Sequence, residues 1–367
     1  VGLEGRAMRI LGFGTYNIAA HPRVGILLEG LRDRGHTVVE LNEPLRVSTE
    51  GRVAALSSPT AALAFFGRLA KNWGRLIAGT RRYRGGSAPD AILVGYLGHF
   101  DVLLARALYP RTTIILDHLI YAADTAADRG ATGTVLRRIL AGLDRLALGT
   151  ADIVIYDTNA HANLAPDALA HKGVVVPVGA PDAWFEARQD DPDTGVVFYG
   201  LYTPLQGTTT IARALRLLAD SGDLPKATMI GTGQDYEEVR EIAGDADITW
   251  VDWAESQALP AIVASHSIGL GIFGTTDKAQ RVVPNKVYQS MAAGCATITS
   301  GTEPQRAMLG DAATYVPPGD PAALADAIRT LVRDRAHRQE MRDRAFDLAS
   351  RAFTHRAVIA PLEERLT

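Results

Sequence analysis

Short apolar runs alternate along this chain with longer stretches whose apolar positions recur every three or four residues. The first pattern predicts buried parallel strands and the second amphipathic helices. In the first half, strands are expected at 9–12, 37–41, 91–94, 113–116, 153–156 and 173–176. Helices are expected over 24–34 and near 60–82, 101–108 and 134–148. From 181 to 194 the period lapses: Pro181, Pro192 and a cluster of acids read as a linker. A second series follows, with strands at 196–199, 227–230, 248–251, 268–272, 296–299 and 314–316. Helices near 208–220, 235–243, 257–264, 285–293 and 321–334 separate them. The pattern is that of an α/β protein with two Rossmann-like domains of parallel sheet, at 1–177 and 178–345. A helical tail, 346–367, is expected to cross back to the first domain. Ligands of such arrays bind beyond the carboxyl ends of the strands, which here implies an interdomain cleft.

The 367 residues suit two domains, and 47% hydrophobic content supplies two cores. A net charge of −3 argues against a nucleic-acid binder. Cys295 is the single cysteine, which excludes an internal disulfide and a multi-cysteine zinc site. It is expected as a buried structural thiol, and a cytoplasmic location fits. No apolar run is long enough to span a bilayer. The segment Val1–Ala7 before Met8 lacks the apolar centre of a secretory signal and reads as an extension. Abundant alanine and arginine with few lysines suggest a bacterial source.

Three loops in the second half follow strands and open helices. The first runs from Val197 to Gly207 and contains Gly200, Leu201, Tyr202 and Gln206. The second is Gly231-Thr232-Gly233 after a strand. The third is Gln280-Arg281-Val282-Val283-Pro284-Asn285-Lys286, leading to Gln289. Pro284 fits the first turn of a helix. The N–H groups and positive dipole end of that helix suit a phosphate, with Lys286 and Arg281 beside it.

With these loops the sequence resembles the retaining glycosyltransferases of family four, which have the GT-B fold. The segment from Ser267 to Phe273, followed by Pro284-Asn285-Lys286-Val287-Tyr288-Gln289-Ser290-Met291-Ala292-Ala293-Gly294, looks like that family's donor-binding segment. Phe198-Tyr199-Gly200 with Gln206-Gly207 looks like its first glycine loop, and Asp90–His99 and Ala151–Thr158 also fit a bacterial branch. The resemblance implies transfer of a sugar from a nucleotide diphosphate-sugar to a hydroxyl acceptor, with retention and without a metal or other cofactor. The setting would be cell-surface glycan or secondary-metabolite assembly. Alternatives are a nucleotide-sugar epimerase of the same fold, or a non-catalytic nucleotide-sugar-binding partner subunit. The chain departs from the family at four places. Leu201 and Gln206 stand where it carries arginine and lysine, and Arg281 and Gln289 where it carries two glutamates. The diphosphate charge is therefore expected to be met by Lys286 and Arg281, with Lys278 in support.

In the first half, Gly14, Thr15, His21 and Arg23 follow the first strand, where the resemblance implies donor contacts. Asp117 and His118 close the strand 113–116 and are the candidates for catalysis; a plain loop cap is the competing reading. Asp124, Asp128 and Arg129 lie in a polar stretch, an acceptor-side lining or an ordinary solvated loop. Asp190-Asp191-Pro192-Asp193 imitates a metal-binding D-x-D, but it lies in the linker and not at a strand end. The histidines have no metal-ligand spacing and no nucleophile elbow is present. Finally, Phe66, Leu69, Trp73, Leu76 and Ile77 recur at helical spacing within 63–84, accompanied by six cations and no acid after Phe65. This suits either a core-packed helix with a solvated basic face or peripheral contact with an anionic membrane.

Overall fold

A computed structural model describes residues 7–18, 21–45, 59–128 and 133–366. They divide into two compact units, Val1–Pro177 with Val358–Thr367, and Val178–Ala357. The first unit is built on β1 (Arg9–Gly14), β2 (Thr37–Asn42), β3 (Ala91–Val94), β4 (Thr113–Asp117), β5 (Ile153–Tyr156) and β6 (Gly173–Val175). All pair in parallel, in the order β2-β1-β3-β4-β5-β6. Because side chains alternate across a strand, each central strand feeds two cores. Ile10, Leu93, Ile115 and Ile155 meet α1 (Arg23–Asp33) on one face. Leu11, Ile92, Leu116 and Tyr156 face the other side. There they meet residues of α2 (Pro59–Gly79), α3 (Asp101–Leu108) and α5 (Thr134–Thr150). The short α4 (Ala122–Asp128) precedes α5. Asp124 and Asp128 therefore lie on a helix and not in a loop; Arg129 falls outside the described residues.

The second unit holds β7 (Asp193–Tyr199), β8 (Lys226–Ile230), β9 (Ile248–Val251), β10 (His266–Leu270), β11 (Ala296–Ser300) and β12 (Thr314–Val316). The order is β12-β11-β10-β7-β8-β9, all parallel. The chain builds outward from β7 to β9, then returns to β7's other side as β10 and builds the opposite way. The sheet thus reverses direction between β7 and β10, the place where the loops beyond two neighbouring strands diverge and leave room for a ligand.

The stretch 181–194 is not a loose linker. Asp182–Glu186 forms α6, whose Trp184 is buried and stacks on Tyr199 with ring centroids 5.5 Å apart. Asp193 already begins β7 and pairs with Lys226 at 2.6 Å. The lapse of period reflects a helix of five residues, too short to display one. The helix α8 (Arg335–Ala352) packs on β11 and on α7 (Asn285–Ala292), so the chain stays with the second unit until Ala357. Its final helix, α9 (Ala360–Leu366), then buries Leu362 in the first core, and Glu363 pairs with Arg34 at 3.1 Å.

Candidate functional site

In the second unit the loops that follow β7, β8 and β10 are fitted together by glycines. A Cβ on Gly231 would lie 2.0 Å from the Gly200 carbonyl oxygen, and one on Gly233 would lie 2.4 Å from that of Tyr202. These contacts let the second loop lie flat against the first, with Gly200 N–H donating to Ile230 and Tyr202 N–H to Thr232, each at 3.0 Å. Those two N–H groups are consequently committed to the backbone. Tyr202 itself is a core side chain, fully buried between Phe198 and Tyr236, and does not line the loop's open side. Gly207, at φ 64°, ends the first loop against the third: Phe273 N–H donates to Gln206 O at 3.0 Å.

The third loop delivers α7. Pro284 is its N-cap, with extended backbone at φ −74° and ψ 153°, one residue earlier than the first turn expected for it. A proline ring fixes φ in that range, so the cap costs no strain. Two glycines on and after β10 bring the helix close. A Cβ on Gly269 would meet Ser290 at 2.7 Å, and one on Gly271 would meet Val287 at 3.1 Å. Tyr199 fixes the helix axially by donating from its hydroxyl to Lys286 O at 3.1 Å. Gln289 is buried on α7, Val283 is buried ahead of it, and Arg281 and Asn285 are half-buried.

Lys286 is only 5% exposed. Its ammonium donates to Gln206 Oε1 and sits 3.7 Å from the centre of the Phe198 ring. It also lies 2.9 Å from where a Cβ on Gly200 would be. A surface lysine with its head in water is thereby excluded. Burial holds its pKa well below the usual lysine range. The cation on α7 reaches the first loop, at the residue where the resembling family has its own lysine. Phe198, half of this arrangement, was legible in the sequence as part of the first glycine loop but not as the ring against Lys286.

The first unit disposes its candidates differently. Gly14, at φ 140°, admits not a ligand but Asp101, whose Oδ2 would be 2.9 Å from a Cβ there. That oxygen accepts from both the N–H and the hydroxyl of Thr15 at 2.7 Å, while Oδ1 accepts from Trp73 Nε1 at 2.8 Å. The turn after β1 is thus an internal anchor, and the N–H of Thr15 is spent. Arg23 is buried, with each of its nitrogens engaged: Nε meets Asp117 Oδ1 at 2.8 Å, and its other nitrogens donate to the carbonyls of Val176 and Pro177. It ties α1 to β4 and to the residues just after β6. His21 is half-buried with its ring 4.3 Å from Tyr96.

Asp117 and His118 are adjacent and buried, and the strand's alternation sends them to opposite faces. Asp117 joins Arg23; its pKa is raised, because burial outweighs the neighbouring guanidinium. His118 packs among His99, Tyr121 and Tyr156. Burial, then His99 and His161, push its pKa well down, so it is neutral near pH 7. Among the described residues its buried Nε2 has no hydrogen-bond partner. His99, His118 and Asp144 each bring one ligand atom within 4.8 Å of the others, a grouping that sequence spacing could not reveal. Asp144 is already engaged, since its carboxylate accepts from His99 and from the Ala122 and Ala123 N–H groups at the start of α4. Cys295 is wholly buried, with its thiol toward His266 O at 3.3 Å and its pKa pushed up to about 12.

No curated protein is significantly similar in sequence. Sucrose-phosphate synthase from Thermosynechococcus elongatus superposes with a TM-score of 0.69 at 14% identity, covering 98% of each chain. HepE of Anabaena, solved in complex with UDP-glucose, gives 0.64 at 14% identity, covering 98% of this chain and 99% of that one. The UDP-forming α,α-trehalose-phosphate synthase of Burkholderia xenovorans gives 0.65 at 14%, covering 98% of each. Residues 193–334, the strands and loops just described, match the family model Glycosyl transferases group 1. The chain therefore has the GT-B fold, and its second unit carries a glycosyl transferases group 1 domain.

Proposed function

We propose that this protein transfers a sugar from a nucleotide diphosphate-sugar to a hydroxyl acceptor, with retention and without a metal at the diphosphate. The observation that carries the reading is the reach of Lys286 from α7 to Gln206 and Gly200 in the first loop. It sets a cation beside the point where the sheet reverses direction, together with the N-terminus of α7. The leaving diphosphate gains charge as the glycosidic bond breaks, and a buried ammonium with oriented N–H groups stabilises that charge without reorganising. The UDP and UDP-glucose bound by HepE support a uridine diphosphate donor. Retention rests on the resemblance to family four alone. Leu201, exposed where that family has an arginine, favours the second reading of a donor-binding subunit without turnover. Sugar release from UDP-glucose over an acceptor panel separates the two.

The test is Lys286→Met. Charge-assisted contacts contribute about 1.5–3 kcal/mol, so UDP affinity should fall roughly 10- to 150-fold. Affinity for uridine should stay unchanged. Because burial depresses the lysine pKa, the charge of Lys286, and with it the UDP affinity of the wild type, should be lost on raising the pH earlier than for an ordinary lysine. Calorimetry over a pH series reads that loss, and Lys286→Met should remove it. Equal UDP affinity in the two proteins at low salt would refute the assignment.

A further inference from the structure

The face of the first unit formed by α2 and α5 carries apolar and basic side chains that its own core does not use. Of the apolar stripe on α2, Leu69 and Leu76 are buried and Trp73 is held by Asp101, so the core-packing expectation is met on that side. The outward side is apolar as well: Leu63 is 77% exposed, and Phe66 and Ile77 are also exposed. On α5, Val135 and Ile139 are 72% and 62% exposed and Leu146 lies on the same stripe, while Leu140, Ala147 and Leu148 point inward. The two helices cover the same face of the sheet, with α3 between them. Phe66 of α2 packs on Phe100 at the start of α3 with centroids 5.7 Å apart, and α3 in turn packs on α5.

Among the described residues, the outward charges on α2 and α5 themselves are all basic, and of these Arg75 pairs with Glu43 at 3.2 Å. No acid occurs in α2, and the single acid of α5, Asp144, is buried at the start of α4. Arg68, Lys71, Arg137, Arg138 and Arg145 are exposed, and among the described residues none has an ion-pair partner. Apolar residues interleaved with unpaired cations on exposed helix faces are what an anionic lipid surface attracts: acyl chains take the apolar tips and headgroups the charges. A second copy of the chain fits poorly, because a two-fold contact would set this basic face against itself.

We propose that the outward face of α2 and α5 docks the protein on an anionic lipid bilayer. The inference stands apart from the donor reading, since none of these residues belongs to the second unit. The experiment is sedimentation of the full chain with vesicles of phosphatidylglycerol and phosphatidylcholine, and with phosphatidylcholine alone. Binding is expected to the anionic vesicles, and to weaken with salt. Each cation near such a surface contributes roughly fivefold, so Arg68→Gln with Lys71→Gln should lower partitioning about 30-fold. Leu63→Gln with Phe66→Gln, and Val135→Gln with Ile139→Gln, should each lower it by a similar order. All three pairs lie outside the donor loops and should retain the wild-type UDP affinity; the Arg68/Lys71 and Val135/Ile139 pairs should also retain the wild-type melting temperature, whereas Phe66 gives up its contact with Phe100. Equal binding to both vesicle types, or indifference to all three pairs, would overturn the proposal. So would a lipid-free dimer that these pairs dissociate, which would give the face to a second copy.

Discussion

Arg23 shows how a cation that sequence reading offers to a ligand can be claimed by the fold. Its guanidinium neutralises Asp117 and caps two carbonyls, all out of water. Removing one partner of a buried pair leaves an uncompensated charge, which typically costs about 3–5 kcal/mol. Arg23→Met should destabilise the first unit by that order. The sign of its pH dependence follows from Asp117, whose carboxyl pKa is raised by burial even with Arg23 present. A raised acid favours the folded state below its unfolded pKa and loses that contribution as pH rises through the folded value. Without Arg23 the folded value rises further. The penalty in urea denaturation should therefore be smaller at about pH 5 than at about pH 7. A penalty equal at both would mean that loss of Arg23 does not change the protonation of Asp117 over that range.

At the scale of elements, the loops of the second unit are positioned by missing side chains as much as by present ones. Gly231, at φ 118°, presses on the Gly200 carbonyl, so even a methyl there meets backbone at 2.0 Å and must push the β7 and β8 loops apart. Gly231→Ala should displace the first loop from Lys286 and lower UDP affinity together with melting temperature. Gly222→Ala is the control: it too has positive φ, but open space surrounds it. It should cost only backbone strain, about 1–2 kcal/mol, and leave UDP affinity alone. Loss of affinity in both variants would show that stability and not loop placement was measured. The strand-loop-helix pattern announced these loops. Which N–H groups they leave for a ligand was not legible, because Gly200 spends its own on the end of β8 and Tyr202 on the loop after it, both distant in sequence.

For the whole molecule, the boundaries at 177–178 and 357–358 define which piece can stand alone. Residues 178–357 include α6 and α8; Trp184 of α6 stacks on Tyr199, and Arg342 of α8 donates to Gly294 O at 2.8 Å. This fragment should fold cooperatively and bind UDP by calorimetry, with Lys286 accounting for the same loss as in the full chain. A fragment ending at 345 cuts α8 and should melt at lower temperature. If 178–357 folds but binds no UDP while the full chain does, the donor site needs residues of the first unit.

The periodicity of the chain by itself determined the two parallel α/β arrays, because strands buried on both faces and amphipathic helices leave strong local patterns. The three strand-to-helix loops of the second unit were legible for the same reason: glycines and a helix start follow each strand. Local pattern also marked α2 as basic and apolar, though not which of its sides faced outward. Only the tertiary structure decided which polar groups remain available. Asp101 takes the turn at Gly14, Arg23 goes to Asp117, and Tyr202 enters the core. Lys286 meets Phe198 and Gln206 across some eighty positions of sequence. Burial and hydrogen-bond competition act between residues that are neighbours only after folding, and no local pattern of the chain carries them.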